Sequence, residues 1–264
     1  QAKSNALVAR INLDLKQFDD ANTEAGKALQ ILQDAVDNDK RTELRPDLAH
    51  AFNLRAESFL ARSQRDLASK DFSKAIQLFN QLLDEGRLDL RDDVAYSYTE
   101  RARILLAAKE PREAIRDLSK AIETQARLVE EGRADQLSPY CKNLLMRAQL
   151  HRDEEAYDSA VADYNKALLA LEQNKKSAAS QIDSDIVDVY LARSGSQLQR
   201  GRYQEAIVDT EHAFQIAAAP NAEWDANARH LAQARALLLC GEAERRGLRF
   251  PAAREALTKA SETL

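Results

Sequence analysis

Two kinds of charged residue recur along this sequence at one fixed interval, and any chemistry would start from them. A shift of 46 residues superimposes Arg55, Arg101, Arg147 and Arg193, each followed by a small residue. The same shift superimposes Asp71, Asp117, Asp163 and Asp209. Arginine presents a planar fork that a carboxylate accepts through two hydrogen bonds. Within each repeat the Asp follows the Arg by sixteen residues. With a turn near Lys109, or equivalently Gly201, the two lie about two helical turns on either side of it, so an antiparallel hairpin sets them level. The arginines could line a groove as an anion-binding ladder, or pair internally with the aspartates and fix how two helices dock. Near the C-terminus, allowing a one-residue insertion beyond Gly247, Leu239 and Ala256 stand at these two places. Both charges are lost together, as a pair requires, and this favours the internal ion pair.

Other reactive residue types form no constellation. The histidines (50, 151, 212 and 230) sit at unrelated registers without metal-ligand spacing. Asp153-Glu154-Glu155 resembles paired carboxylates for acid–base work, but it falls at a predicted inter-helix turn, where acidic residues favour the N-terminus of the next helix. Cys141 and Cys240 are far apart and form no CxxC pair. There is no Gly-rich phosphate loop and no GxSxG. The reading is of a chain that is not an enzyme, with no catalytic residues, no cofactor and no metal. Tyr96, Tyr98 and Arg103 could stack on a nucleic acid, but Tyr98 belongs to a bulky core column. A formal net charge of -5, with 31% charged residues, argues against a duplex nucleic-acid partner. No apolar run approaches the roughly 18–20 residues that span a bilayer. The sparse cysteines point to the cytoplasm, although a start at Gln1 also fits removal of a leader or upstream domain, which keeps export open.

The elements behind these columns are helices. Of 264 residues, 44% are hydrophobic, and only seven are Gly and five Pro. The 46-residue shift also aligns Ala68, Ala114, Ala160 and Ala206, then Ala75, Ala121, Ala167 and Ala213, and a bulky set of Phe52, Tyr98, Leu144 and Tyr190. The central repeats are 41–86, 87–132, 133–178 and 179–224, flanked by degenerate units 1–40 and 225–264 that act as caps. In 87–132, Val94, Tyr98, Ala102 and Leu105 step by three and four residues, as do Ala114, Leu118 and Ala121, and Ile115, Leu118 and Ile122. Pro111 suits the first turn of a helix, Gly86 and Gly132 suit left-handed helix ends, and Ser138-Pro139 reads as an N-cap with its N1 proline. Trp224, after Pro220, would staple the last hairpin or stand out as a binding anchor. The pattern predicts one all-α domain over 1–264, built of about six antiparallel helix hairpins.

A small residue in the first helix, an aromatic opening the second, and alanines seven apart thereafter resemble the tetratricopeptide repeat (TPR) family. Ala148, Tyr157, Ala160, Tyr164 and Ala167 carry the pattern most fully, and Gly201-Arg-Tyr203-Gln-Glu-Ala206-Ile207 is also close to it. The chain departs from the family in its longer unit and in Arg65 and Pro111, which replace the aromatic in two repeats. The resemblance implies a right-handed superhelical solenoid whose concave groove, lined by the first helix of each hairpin, binds a protein or peptide. By register the groove candidates are His50, Asn53 and Glu57, then Tyr96, Thr99 and Arg103, then Lys142, Gln149 and Arg152. They do not form the Lys-Asn clamp of the chaperone-tail binders in that family. Their mixture of amide, aromatic and both charge signs suits a largely polar extended peptide. A second reading makes the chain a structural segment of a longer array that self-associates or acts as a spacer.

Overall fold

The computed structural model describes residues 1–174, 179–219 and 225–263. Among the described residues there are twelve α-helices and no strand. Pro220 and Trp224 lie outside them, as do the expected repeat boundaries at 178/179 and 224/225. The chain divides into two compact units, Gln1–Gln136 and Leu137–Leu264. The first holds α1 (Ala2–Asp14), α2 (Phe18–Asp37), α3 (Arg45–Ala61), α4 (Arg65–Asp84), α5 (Arg91–Ala107) and α6 (Pro111–Glu130). The second holds α7 (Leu137–Asp153), α8 (Tyr157–Asn174), α9 (Ala179–Gln199), α10 (Tyr203–Ala218), α11 (Ala226–Arg246) and α12 (Phe250–Thr263). Within each unit every helix packs on the next, so hairpins stack upon hairpins.

The turn inside each hairpin has one geometry. A single residue takes a left-handed φ: Lys16, Ser63 and Lys109 in the first unit, Glu155, Gly201 and Leu248 in the second. Around Lys109 two hydrogen bonds close the end of α5, Lys109 N to Leu106 O (3.0 Å) and Glu110 N to Leu105 O (2.9 Å). This satisfies carbonyls that a helix end leaves without partners. Gly86 and Gly132 make the same closure after α4 and α6, with φ of 92° and 87°. Short 3-10 turns at Thr42–Leu44, Leu88–Leu90 and Ala134–Gln136 then lead into α3, α5 and α7. The last of these corrects the expected start at Ser138-Pro139. α7 begins at Leu137, and Pro139 is its third residue. Proline is tolerated there because no first-turn N–H has an intrahelical acceptor, and buried Leu137 holds the chain inward.

The alanine columns form the tightest seams. Ala68 and Ala75 on α4, Ala114 and Ala121 on α6, Ala160 and Ala167 on α8, and Ala206 and Ala213 on α10 are all fully buried. A bare methyl lets helix backbones approach, while larger side chains between seams fill the core. In the first unit Phe52, Phe79, Leu82 and Val94 form one cluster, and Phe72 packs with Ile104 in another. In the second unit Val187, Leu191, Ala213 and Ala236 cluster together.

Candidate partner-binding face

Each Arg of the repeating column grips its Asp with two hydrogen bonds. Arg55 Nε and Nη2 lie 2.6 and 2.9 Å from the Asp71 oxygens, and the Arg101–Asp117 distances are both 2.7 Å. Arg147 bonds Asp163 at 2.8 and 2.6 Å, and Arg193 bonds Asp209 at 2.9 and 2.5 Å. All four Asp residues are buried. Arg101 and Arg193 also reach back to the preceding hairpin. Arg101 Nη1 donates to Ser73 Oγ at 3.0 Å, and Arg193 Nη1 donates to Asn165 Oδ1 at 2.6 Å. One guanidinium therefore ties three helices. Burial disfavours the Arg193 cation, but its bonds to Asp209 outweigh this and hold its pKa above the ordinary value. These side chains act as braces between helices.

A different set of residues faces a cleft of about 270 Å³ between α1, α3 and α5 of the first unit. His50, Asn53 and Glu57 line it from α3, Asp93 and Tyr96 from α5, and Lys3 and Arg10 from α1. Arg10 donates two bonds to Glu57, at 2.5 and 3.2 Å, while Lys3 lies 3.3 Å from Asp47. His50 Nδ1 is 3.5 Å from Asp93, and its ring meets Phe79 edge-on at 5.2 Å. Tyr96 is 40% exposed, with its ring against Phe72. Burial, then the carboxylates of Glu57 and Glu100, push its phenol pKa upward. Burial also raises the carboxyl pKa of Asp93 and of Glu100, although Arg103 sits 3.0 Å from Glu100. The floor of the cleft is thus apolar and its walls carry both signs of charge.

The structure distributes the nine groove candidates unevenly. His50, Asn53, Glu57 and Tyr96 come together at this cleft, and exposed Arg103 stands farther along α5. Asn53 and Thr99 are buried: Asn53 Oδ1 accepts from Ser97 Oγ at 2.9 Å, and Thr99 Oγ1 donates to Ala95 O at 2.9 Å. Lys142, Gln149 and Arg152 lie on α7 of the second unit, where Gln149 Nε2 donates to Asp153 Oδ1 at 2.7 Å. Sequence reasoning passed over Lys3, Arg10, Asp47 and Asp93. Their signal is present, since Asp47 and Asp93 are one repeat apart, and Lys3 falls in the column of His50 when each is counted from the left-handed turn residue of its hairpin. A second arginine column was also passed over, in which Arg45 pairs with Glu85 and Arg91 with Glu131, linking the start of one helix to the end of the next.

No family model matches the sequence, and no curated protein matches it. Solved structures do match in shape. BtubC (BKLC) from P. vanneervenii is similar over 92% of this chain and 89% of its own, with a TM-score of 0.59 at 15% identity. A putative kinesin light chain from Podospora anserina, with nearly identical TPR-like repeats, is similar over 82% of this chain and 94% of its own, with a TM-score of 0.58 at 17% identity. The fold is TPR-like. The apo form of RapI gives a TM-score of 0.55 at 13% identity, covering 99% of this chain and 82% of that one. In a TPR-like hairpin the first helix is helix A and the second helix B, so α1, α3 and α5 are A helices and the cleft lies among them. Among the described residues, no helix is long and apolar enough to cross a membrane.

Proposed function

We propose that this chain is a non-catalytic scaffold, working in the cytoplasm, that holds a largely polar extended peptide of a protein partner against its A helices. The observation that carries the reading is the contrast between what repeats and what varies. The Arg–Asp braces and the alanine seams are the same in every central hairpin, whereas the cleft lining changes from Lys3 and Arg10 on α1 to His50 and Glu57 on α3 and Tyr96 on α5. A scaffold must repeat, and a surface that reads one partner must not. Paired charges lining an apolar floor give a peptide hydrogen-bonding groups and a place to bury a side chain. The corresponding residues of α7, Lys142, Gln149 and Arg152, are a second candidate surface, to be tested by itself.

Selection of peptides from a random displayed library tests this. Peptides recovered on the native chain should lose at least about tenfold in affinity on Tyr96→Ala/Arg103→Ala, while its melting temperature moves little, exposed substitutions usually changing stability by only about 0.5 kcal/mol. The variant Lys142→Ala/Gln149→Ala reports on α7 in the same way. Peptides that bind both variants as they bind the native chain would overturn the proposal.

A further inference from the structure

Inside each unit an A helix sits on the preceding B helix through one recurring contact. In the first unit Ile104 of α5, 5% exposed, packs with fully buried Phe72 of α4. In the second, Ser196 of α9 bonds the hydroxyl of buried Tyr164 on α8. Ser196 is two repeats beyond Ile104, and Tyr164 two repeats beyond Phe72, so these are one pair of columns. At the N-terminal end of α8 the seam carries an ion pair, Arg200 with Asp158, which matches Arg62 with Asp19 of α2 at 2.8 Å.

Two helices carry these columns uncovered. Counted from the left-handed turn residue of each hairpin, the column of Ile104 is occupied on α1 by Ile11, which is 46% exposed in a stripe with Leu7 at 62% and Leu15 at 63%. By the same count the column of Phe72 is occupied on α12 by Leu257, 41% exposed beside a cleft of about 630 Å³ that Ala253, Arg254, Thr258 and Ser261 also line. The two faces are the complementary halves of the A-on-B seam. The ion-pair columns agree: where Arg62 and Arg200 stand, α1 is followed by Leu15, and where Asp19 and Asp158 stand, α12 has exposed Pro251. Both charges are replaced, and by apolar residues, so the two faces match each other in chemistry as well as register.

We propose that α1 of one copy docks on α12 of a second copy, with Ile11 against Leu257 and Leu15 against Pro251, extending the A-on-B stacking from one copy to the next. Such a contact is heterologous, using different patches on the two partners, and it propagates from copy to copy. It is separate from the cleft of the A helices.

Light scattering across a concentration series tests it with three samples. The native chain should rise above the monomer mass as concentration increases. Ile11→Asp alone and Leu257→Asp alone should each stay monomeric, because every seam needs both faces. An equal mixture of the two variants should form a species of twice the monomer mass and no larger, since the intact α12 of one meets the intact α1 of the other. Both side chains are exposed, so circular dichroism should show unchanged helix content; if either Asp variant misfolds, Ile11→Ser and Leu257→Ser take its place. A native chain that is monomeric throughout would overturn the proposal. So would a Leu257→Asp chain that associates as the native one does, which is the signature of α1 pairing with α1.

Discussion

Arg101 shows how much one side chain holds. Its guanidinium satisfies Asp117 twice and Ser73 once, linking α5 to α6 and to α4. Removing it strands the buried Asp117 carboxylate, and breaking a buried pair in this way costs about 3 kcal/mol or more. Arg101→Ala should therefore lower the urea midpoint with an unchanged m-value, while Ser73→Ala, losing one hydrogen bond, should cost only about 1 kcal/mol. Glu100 gives a prediction of opposite sign. Burial raises its carboxyl pKa, so this group adds stability when protonated, below its unfolded pKa, and loses that contribution as pH rises through the higher folded value. Glu100→Gln should thus be more stable than the native chain at neutral pH, with the gain shrinking on acidification; urea titrations at both pH values measure it. The Arg–Asp braces can be read from sequence because both members recur at one interval and disappear together. Burial of Asn53 and Thr99 cannot, because a position aimed at a groove by register is filled or left open by neighbouring helices.

The helices themselves are legible because apolar spacing, prolines and glycines all agree on them. Their joints are less so. The left-handed turn residue is Gly only at Gly201, and its equivalents Ser63, Lys109 and Glu155 give no such cue. The backbone forces the conformation at those sites by closing the preceding helix, so sequence leaves no trace of it. A non-glycine residue there is strained by about 1–2 kcal/mol, against an entropic penalty of about 0.5–1 kcal/mol for glycine. Lys109→Gly should accordingly raise stability by about 0.5 kcal/mol, seen as a small rise in melting temperature. The α11–α12 hairpin offers the converse test. A Cβ on Gly241 would stand 2.8 Å from Leu257 Cγ and 3.4 Å from the Ala253 carbonyl oxygen. Gly241→Ala must displace the Leu257 side chain and should cost about 1–3 kcal/mol, as overpacking does, lowering the melting temperature.

At the scale of the whole molecule, one hairpin design serves both units: alanine seams, an Arg–Asp brace across each central turn, and A helices that keep some exposed positions outside the repeating columns. The family resemblance and the TPR-like fold follow from the repeating columns. The proposed partner does not, because the positions proposed to read it are those that do not repeat, and a single chain contains each of them once. The central claim is that those positions on α3 and α5 contact a peptide. Hydrogen-exchange footprinting of the chain, alone and saturated with a library-selected peptide, tests it most directly. The account predicts new protection confined to residues 47–57 and 93–103 in the first unit, absent when Tyr96→Ala/Arg103→Ala is used. Protection along the B helices α4 and α6, with those A-helix segments unchanged, would contradict it.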